Sequence, residues 1–217
     1  MKIDIKQIWN FIWHDDSAAS WIVNVILAFV IIKFLVFPGM SFALGTSHPI
    51  VAVVSGSMEH DITKEYRYFG NPITGPKQWS GQYFLCDQKF SEDKHVNFDG
   101  YWEICGPWYE KNSISQEMFD EFKMSNGFNK GDLIILHTKE NAEVGDVLVF
   151  WGTRSDPIIH RIVEVTDDGY ITKGDHNSRE DGTVNPDNVI GKALFRVPYL
   201  GWIKIWFVQF ISIFIGG

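Results

Sequence analysis

Apolar residues crowd towards both ends of the chain, while the middle alternates short apolar runs with polar turns. From Trp21 to Leu44 the run WIVNVILAFVIIKFLVFPGMSFAL carries one amide, Asn24, and one charge, Lys33. As a helix its 24 residues would rise ~36 Å, enough for a hydrocarbon core of ~30 Å. The run predicts a membrane-spanning anchor over 21–44, with Lys33 snorkelling or facing a partner helix. Lys2 and Lys6 precede it, and residues 38–63 hold no Lys or Arg. That asymmetry puts 1–20 in the cytoplasm and the bulk of the chain outside. Ser41-Phe42-Ala43 resembles a cleavage site, but the apolar run is too long for a cleaved leader, so the anchor is read as uncleaved. The last segment, Tyr199–Gly217, is apolar too. Its uninterrupted part after Lys204 is 13 residues, ~20 Å as a helix, and reads equally as an interfacial helix or a second span.

Between these ends the pattern has period two. His48–Ser55, Asp132–His137, Asp146–Trp151, Ile158–Val165, Tyr170–Lys173 and Asn188–Val197 are short, β-rich and bounded by turn residues. No helical repeat separates them, which predicts a mostly β fold, an antiparallel domain over 45–198, and excludes alternating βαβ units. Asp167-Asp168-Gly169 is a hairpin signal. Residues 62–128 differ: they hold nearly half of the chain's aromatic residues, both cysteines and several Gly/Pro breaks. So aromatic a stretch should pack, and it reads as an inserted subdomain over the β core. Outside the cell Cys86 and Cys105 could pair, although spacing alone does not bring them within bonding range.

Charge and cysteine usage narrow the functions. Net charge is −8, and residues 46–198 carry 24 acidic against 15 basic side chains, so a nucleic-acid binder is excluded. No CxxC, HExxH or HxH spacing occurs, so no metal or other cofactor is expected.

The candidate chemistry starts at Ser55-Gly56-Ser57-Met58, where an apolar strand ends in a glycine turn that can expose a hydroxyl. A nucleophilic serine needs a neighbouring base, and His160 in an alternating strand is a candidate. Asp175 or Asp181 could hold that imidazole in the right tautomer.

Taken together and in order, these pieces closely resemble the type I signal peptidases of the archaeal and endoplasmic-reticulum branch. The pieces are the N-terminal anchor, Val53-Val-Ser-Gly-Ser-Met-Glu59, Lys130-Gly-Asp-Leu-Ile-Ile-Leu136 and Gly145-Asp-Val-Leu-Val-Phe150. Ile159-His-Arg-Ile162, Thr172-Lys-Gly-Asp-His-Asn177 with Glu180-Asp181, and Gly191-Lys192 follow. The resemblance covers about 21–61 and 129–205 and implies a coiled antiparallel β domain lying on the membrane. It implies Ser57 as nucleophile, His160 as general base, Asp181 as the carboxylate behind it and Asp175 as a second supporting carboxylate. Ser55 and the Ser57 N–H are expected to form the oxyanion hole. Val53, Val54, Phe150 and Ile159 are candidate walls of shallow pockets for small residues before the cut. In the bacterial branch a lysine stands where this chain has His160; Lys173, the nearest lysine, reads as structural. Met58-Glu59-His60-Asp61 departs from the Met-x-Pro-Thr pattern frequent in the family, and nothing carries over to the insert.

The implied activity is that of a membrane-bound serine endopeptidase removing signal peptides from exported preproteins. The implied location is the cell membrane, with the catalytic domain outside. Implied partners are signal peptides, the lipid bilayer, and the translocation channel or accessory membrane subunits. A catalytically silent scaffold of the same fold is the competing reading, though it would be expected to have lost Ser57, His160 or Asp181.

Overall fold

The computed structural model describes residues 5–68, 77–152 and 156–206, the side chains at 65–68 and 77–79 excepted. It divides into two units, Met1–Gly45 and Thr46–Gly217. The tip of the insert at 69–76 and the C-terminal apolar residues 207–217 fall outside the description.

In the first unit an amphipathic helix α1, Ile5–Trp13, precedes a continuous apolar helix over Ala18–Leu44. The latter is 27 residues long and apolar enough to cross a membrane. It contains the expected 21–44 run. Ser17 caps its start by accepting the Ser20 N–H. Asn24, the amide that interrupts the apolar pattern, donates to the Ile12 carbonyl at 2.9 Å, and Ser20 donates to Phe11 at 2.6 Å. Both therefore satisfy carbonyls left orphaned at the end of α1. The helix runs as α2, Ala18–Ile31, then one π-turn over Ile32–Val36, then α3, Phe37–Leu44. The π-turn sits just ahead of Pro38, which has no N–H to donate to the preceding turn. Instead the Phe37 N–H reaches Ile32, five residues back. Lys33 lies in this turn with its Nζ 5.9 Å and 5.5 Å from the ring centres of Phe29 and Phe34.

The second unit is built on a seven-stranded antiparallel sheet. Its strands are β1 Ile50–Ala52, β5 Leu133–His137, β6 Val147–Phe150, β7 Ile158–Thr166, β8 Gly169–Lys173, β9 Thr183–Val184 and β10 Val189–Val197. They lie in the order β1-β5-β10-β6-β7-β8-β9. Each expected strand is present, with ends that shift by up to three residues, and Asp167 and Asp168 form the β7–β8 turn. Gly169 has φ +143°, and a Cβ there would lie 2.2 Å from the Val184 carbonyl oxygen, so only glycine fits. Alternation decides the core: Val147, Val149 and Ile159 join one cluster with Val53, Met58 and Ile134, while Leu148, Phe150 and Ile162 join another.

The insert supplies a separate three-stranded sheet, β2 Thr63–Tyr68, β3 Lys77–Leu85 and β4 Gln88–Phe90, and two helices, α4 Phe98–Lys111 and α5 Gln116–Asp120. Its aromatics form a third cluster around Tyr101, Trp102, Tyr109 and Phe119 that closes over Val163 of β7 and Ile171 of β8. Cys86 and Cys105 are bonded, tying the β3–β4 turn to α4. After β10, residues 201–206 are helical, and the Trp202 indole fills the space beside Gly131 where a Cβ would stand.

Candidate active site

Val53 is the last residue bonded to the sheet edge: its N–H donates to Asp132 and its carbonyl accepts from Gly131. The chain then leaves the strand through Val54 to Met58. Met58 is fully buried in the core and anchors this loop, leaving Ser55 exposed and Ser57 half-buried. The two hydroxyls lie 3.3 Å apart.

His160 and Arg161 leave β7 on opposite faces, as the strand period requires. On its face the buried His160 ring places Nδ1 2.5 Å from Asp181 Oδ2. The same carboxylate oxygen accepts from Thr172 Oγ at 2.7 Å. Burial pushes the Asp181 carboxyl up, but these two hydrogen bonds and the imidazole outweigh it and hold the group below its ordinary value. An ionised Asp181 selects the tautomer with the proton on Nδ1, which leaves a lone pair on Nε2. That Nε2 faces Gly174. A Cβ at Gly174 would lie 2.8 Å from His160 Nε2 and 2.7 Å from the Ser57 carbonyl oxygen. The serine backbone and the imidazole thus meet across one glycine, which has to lack a side chain for them to do so.

Asp175 does not touch His160; its place is on the other face. Fully buried, it takes a bidentate ion pair from Arg161 at 3.0 Å and 2.7 Å. It also bonds His60 Nε2 at 3.1 Å and the Tyr109 hydroxyl at 3.2 Å. Burial opposes its charge, yet Arg161 and His60 hold its carboxyl far below the carboxylate range. The remaining Arg161 donors go to the carbonyls of Lys123, Met124 and Gly145, so all five are satisfied. The Asp175 backbone reaches the serine loop: its N–H donates to Met58 Sδ, and the next N–H, of His176, donates to the Ser57 carbonyl at 2.9 Å. His60 stands near where the related pattern carries proline. It stacks on Tyr101 with ring centres 3.6 Å apart, and burial pushes its imidazole below its ordinary value.

Lys173 points into the same buried pocket. Its Nζ donates to the Tyr109 hydroxyl and to the carbonyls of Gly174 and Asp175, beside the Trp108 and Tyr109 rings. Burial pushes it down to about 8. None of these partners is Ser57.

Of the four expected pocket walls, Val53 and Ile159 lie in the core cluster under the sheet, and Phe150 in the cluster on the other face. Their burial follows from the two-sided cover of the sheet. Only Val54 is exposed, and it lines a cleft of about 620 Å3 with Ser55, Gly56, Glu59, Lys64 and Lys130. Sequence reasoning missed His60, Tyr101, Tyr109, Arg161 and Gly174; a charged residue inside the apolar run Ile158–Val165 was the available signal for Arg161. Among the described residues no group of three or more His, Cys, Asp or Glu side chains is placed to hold a metal ion.

No family model matches the chain. Among curated proteins it is similar to the human signal peptidase complex catalytic subunit SEC11C, 31% identical over 98 residues, covering 38% of this chain and 51% of that protein. The catalytic subunit sec11 of the Schizosaccharomyces pombe complex is 31% identical over 106 residues, covering 42% and 53%. The Zygosaccharomyces rouxii SEC11 is 28% identical over 99 residues, covering 38% and 59%. The chain thus spans about half the length of the curated relatives it matches. Those relatives carry the signal-peptidase name to which the motifs from Ser55 to Lys192 pointed.

Proposed function

We propose that the chain is a membrane-anchored serine endopeptidase that removes signal peptides from exported preproteins. The observation that carries this reading is the pairing of His160 with Asp181 and the approach of its free Nε2 to the Ser57 backbone across Gly174. Ser57 Oγ attacks the scissile carbonyl while His160 Nε2 takes its proton, and the imidazolium is stabilised by Asp181. The imidazolium then returns the proton to the leaving amine, and water, activated in the same way, hydrolyses the acyl-enzyme. Ser55 Oγ, 3.3 Å from the nucleophile, and the Ser57 N–H supply the oxyanion donors.

Substrate affinity comes from β1. Among the described residues it pairs with β5 alone and is an edge of the sheet. Pro49 and Val53 direct their main-chain groups at the β5 side, so those of Ala52 and Val54 face outward, ready for an extended peptide.

Residues 21–44 are the anchor, 1–20 the cytoplasmic segment and 45–198 the catalytic domain outside the cell membrane. The lysine flank supports this orientation, and so does the Cys86–Cys105 bond, which persists in oxidising compartments. The curated relatives are named as subunits of a complex, which supports accessory membrane subunits as partners. The test is cleavage of a preprotein by the detergent-solubilised chain and by Ser57→Ala. Wild-type cleavage abolished by the substitution is the expected result; an inactive wild type would favour the silent scaffold.

A further inference from the structure

The disulfide-bonded insert lies closer to the nucleophile than its distance along the chain suggests. Leu85 pairs with Gln88, so the β3–β4 turn consists of Cys86 and Asp87 alone. Both have positive φ, +45° and +70°, the conformation of a two-residue hairpin turn that glycine or asparagine usually occupies. A cysteine there is held against its own backbone preference, and the Cys105 sulfur on α4 is its covalent tether. From this turn the Cys86 N–H donates to the His176 carbonyl at 3.1 Å, and the His176 N–H donates to the Ser57 carbonyl at 2.9 Å. Two consecutive peptide hydrogen bonds therefore join the tip of the insert to the backbone of the serine. The same helix α4 bears Tyr101 and Tyr109, whose hydroxyls bond the Asp175 carbonyl at 2.9 Å and the Asp175 carboxylate at 3.2 Å. The turn from Gly174 to Asn177 is thus held by the insert on one side and holds the nucleophile loop on the other.

We propose that Cys86 is a positioning residue for Ser57: the disulfide keeps the β3–β4 turn in its left-handed conformation, and that turn sets the serine through His176. This rests on the reading of Ser57 as nucleophile. Without the sulfur tether an ordinary residue at 86 relaxes towards negative φ, its N–H leaves the His176 carbonyl, and the serine loses its register against His160. Substrate binding along β1 does not involve this path, so the loss falls on kcat and not on KM. Glycine at the same position adopts positive φ without a tether and keeps the N–H.

The experiment compares two disulfide-free forms of the full chain in detergent, Cys86→Ser with Cys105→Ser and Cys86→Gly with Cys105→Ser, by preprotein cleavage and thermal unfolding. Both lose the cross-link, so both should melt below wild type. The Cys86→Ser form should lose about tenfold or more in kcat, as expected for displacement of a reacting group by a fraction of an ångström to one. KM should stay within about twofold of wild type, and the Cys86→Gly form should recover most of the lost kcat. Should the first form fail to fold, reduction of the wild-type disulfide by a thiol replaces it in the comparison. Equal kcat in the serine and glycine forms, or a loss confined to KM, overturns the proposal while leaving the peptidase reading intact. A wild-type chain that cleaves nothing overturns both.

Discussion

His160 and Arg161 are adjacent on β7 yet end on separate carboxylates, His160 on Asp181 and Arg161 on Asp175. One peptide bond thus divides the face that carries the His160–Asp181 pair from the face that carries the buried Arg161–Asp175 pair. The two aspartates of the Lys173-to-Gly182 segment consequently have different work, and substitutions at them should differ in kind.

At Asp181, replacement by Asn keeps the shape but removes the charge that fixes the His160 tautomer. The chain should fold with a melting temperature near wild type, and kcat should fall by roughly three to four orders of magnitude. Asp175→Asn removes the partner of a fully buried guanidinium, which should cost about 3–5 kcal/mol of stability. Calorimetry alongside a cleavage assay separates the two. A destabilised Asp181→Asn form with intact kcat would reverse the assignment.

Gly174→Ala tests the shared glycine. The added methyl would meet a backbone carbonyl and the imidazole nitrogen at 2.7 Å and 2.8 Å. The carbonyl is itself bonded to His176 and has little room to yield. The serine and the base should be pushed apart, with activity lost by about 10²-fold while the secondary structure seen by circular dichroism is retained.

The oxyanion role proposed for Ser55 predicts a smaller and purely kinetic defect. Ser55→Ala should lower kcat by roughly 10²–10³ without altering stability, because its hydroxyl is exposed. Full activity would move the role to another donor.

Lys173 gives the stability curve a shape. Its amine sits at about 8 when folded, against an ordinary value of 10.5. Between those values the unfolded chain holds a proton that the folded chain has released, so stability rises with pH there. The full span amounts to about 3 kcal/mol. Burial raises Tyr101 and Tyr109 well above 10.0, and they act the other way above that pH, where the unfolded chain loses protons that the folded chain keeps. Chemical denaturation should therefore show stability climbing from pH 8 to 10, and Lys173→Met should flatten the climb.

Much of this was legible in the chain. Six strands of the main sheet announced themselves because a half-buried pleat needs alternation and its turns need Gly, Asp or Asn, as at Asp167 to Gly169; the two-residue β9 and the strands of the insert did not. The proposed serine and base could be picked out because their motifs lie in order along one domain, and the fold brings the Ser57 carbonyl and the His160 imidazole together at Gly174. Residue pattern alone left either aspartate of that segment as the partner of His160, because both are within reach of β7 and only the folded register separates Asp181 on His160 from Asp175 on Arg161. The roles of His60, Tyr101 and Tyr109 were not legible at all. They depend on α4 reaching across the sheet to a turn more than sixty residues away in sequence, which no local pattern encodes. Three of the four pocket walls, Val53, Phe150 and Ile159, are buried for a simpler reason: an apolar residue beside the serine is still more use to a core covered on both faces.

The missing side chain at Gly174 also determines where this molecule can be tolerant. The Ser57 loop, the His160 imidazole from β7 and the 174–177 turn converge on this one glycine, so none of them can shift far without displacing the others. Adaptability has to lie along the free edge of β1, which turns main-chain groups outward. An unyielding centre beside a permissive margin suits the proposed peptidase, whose substrates would differ in sequence yet all be cut at one bond.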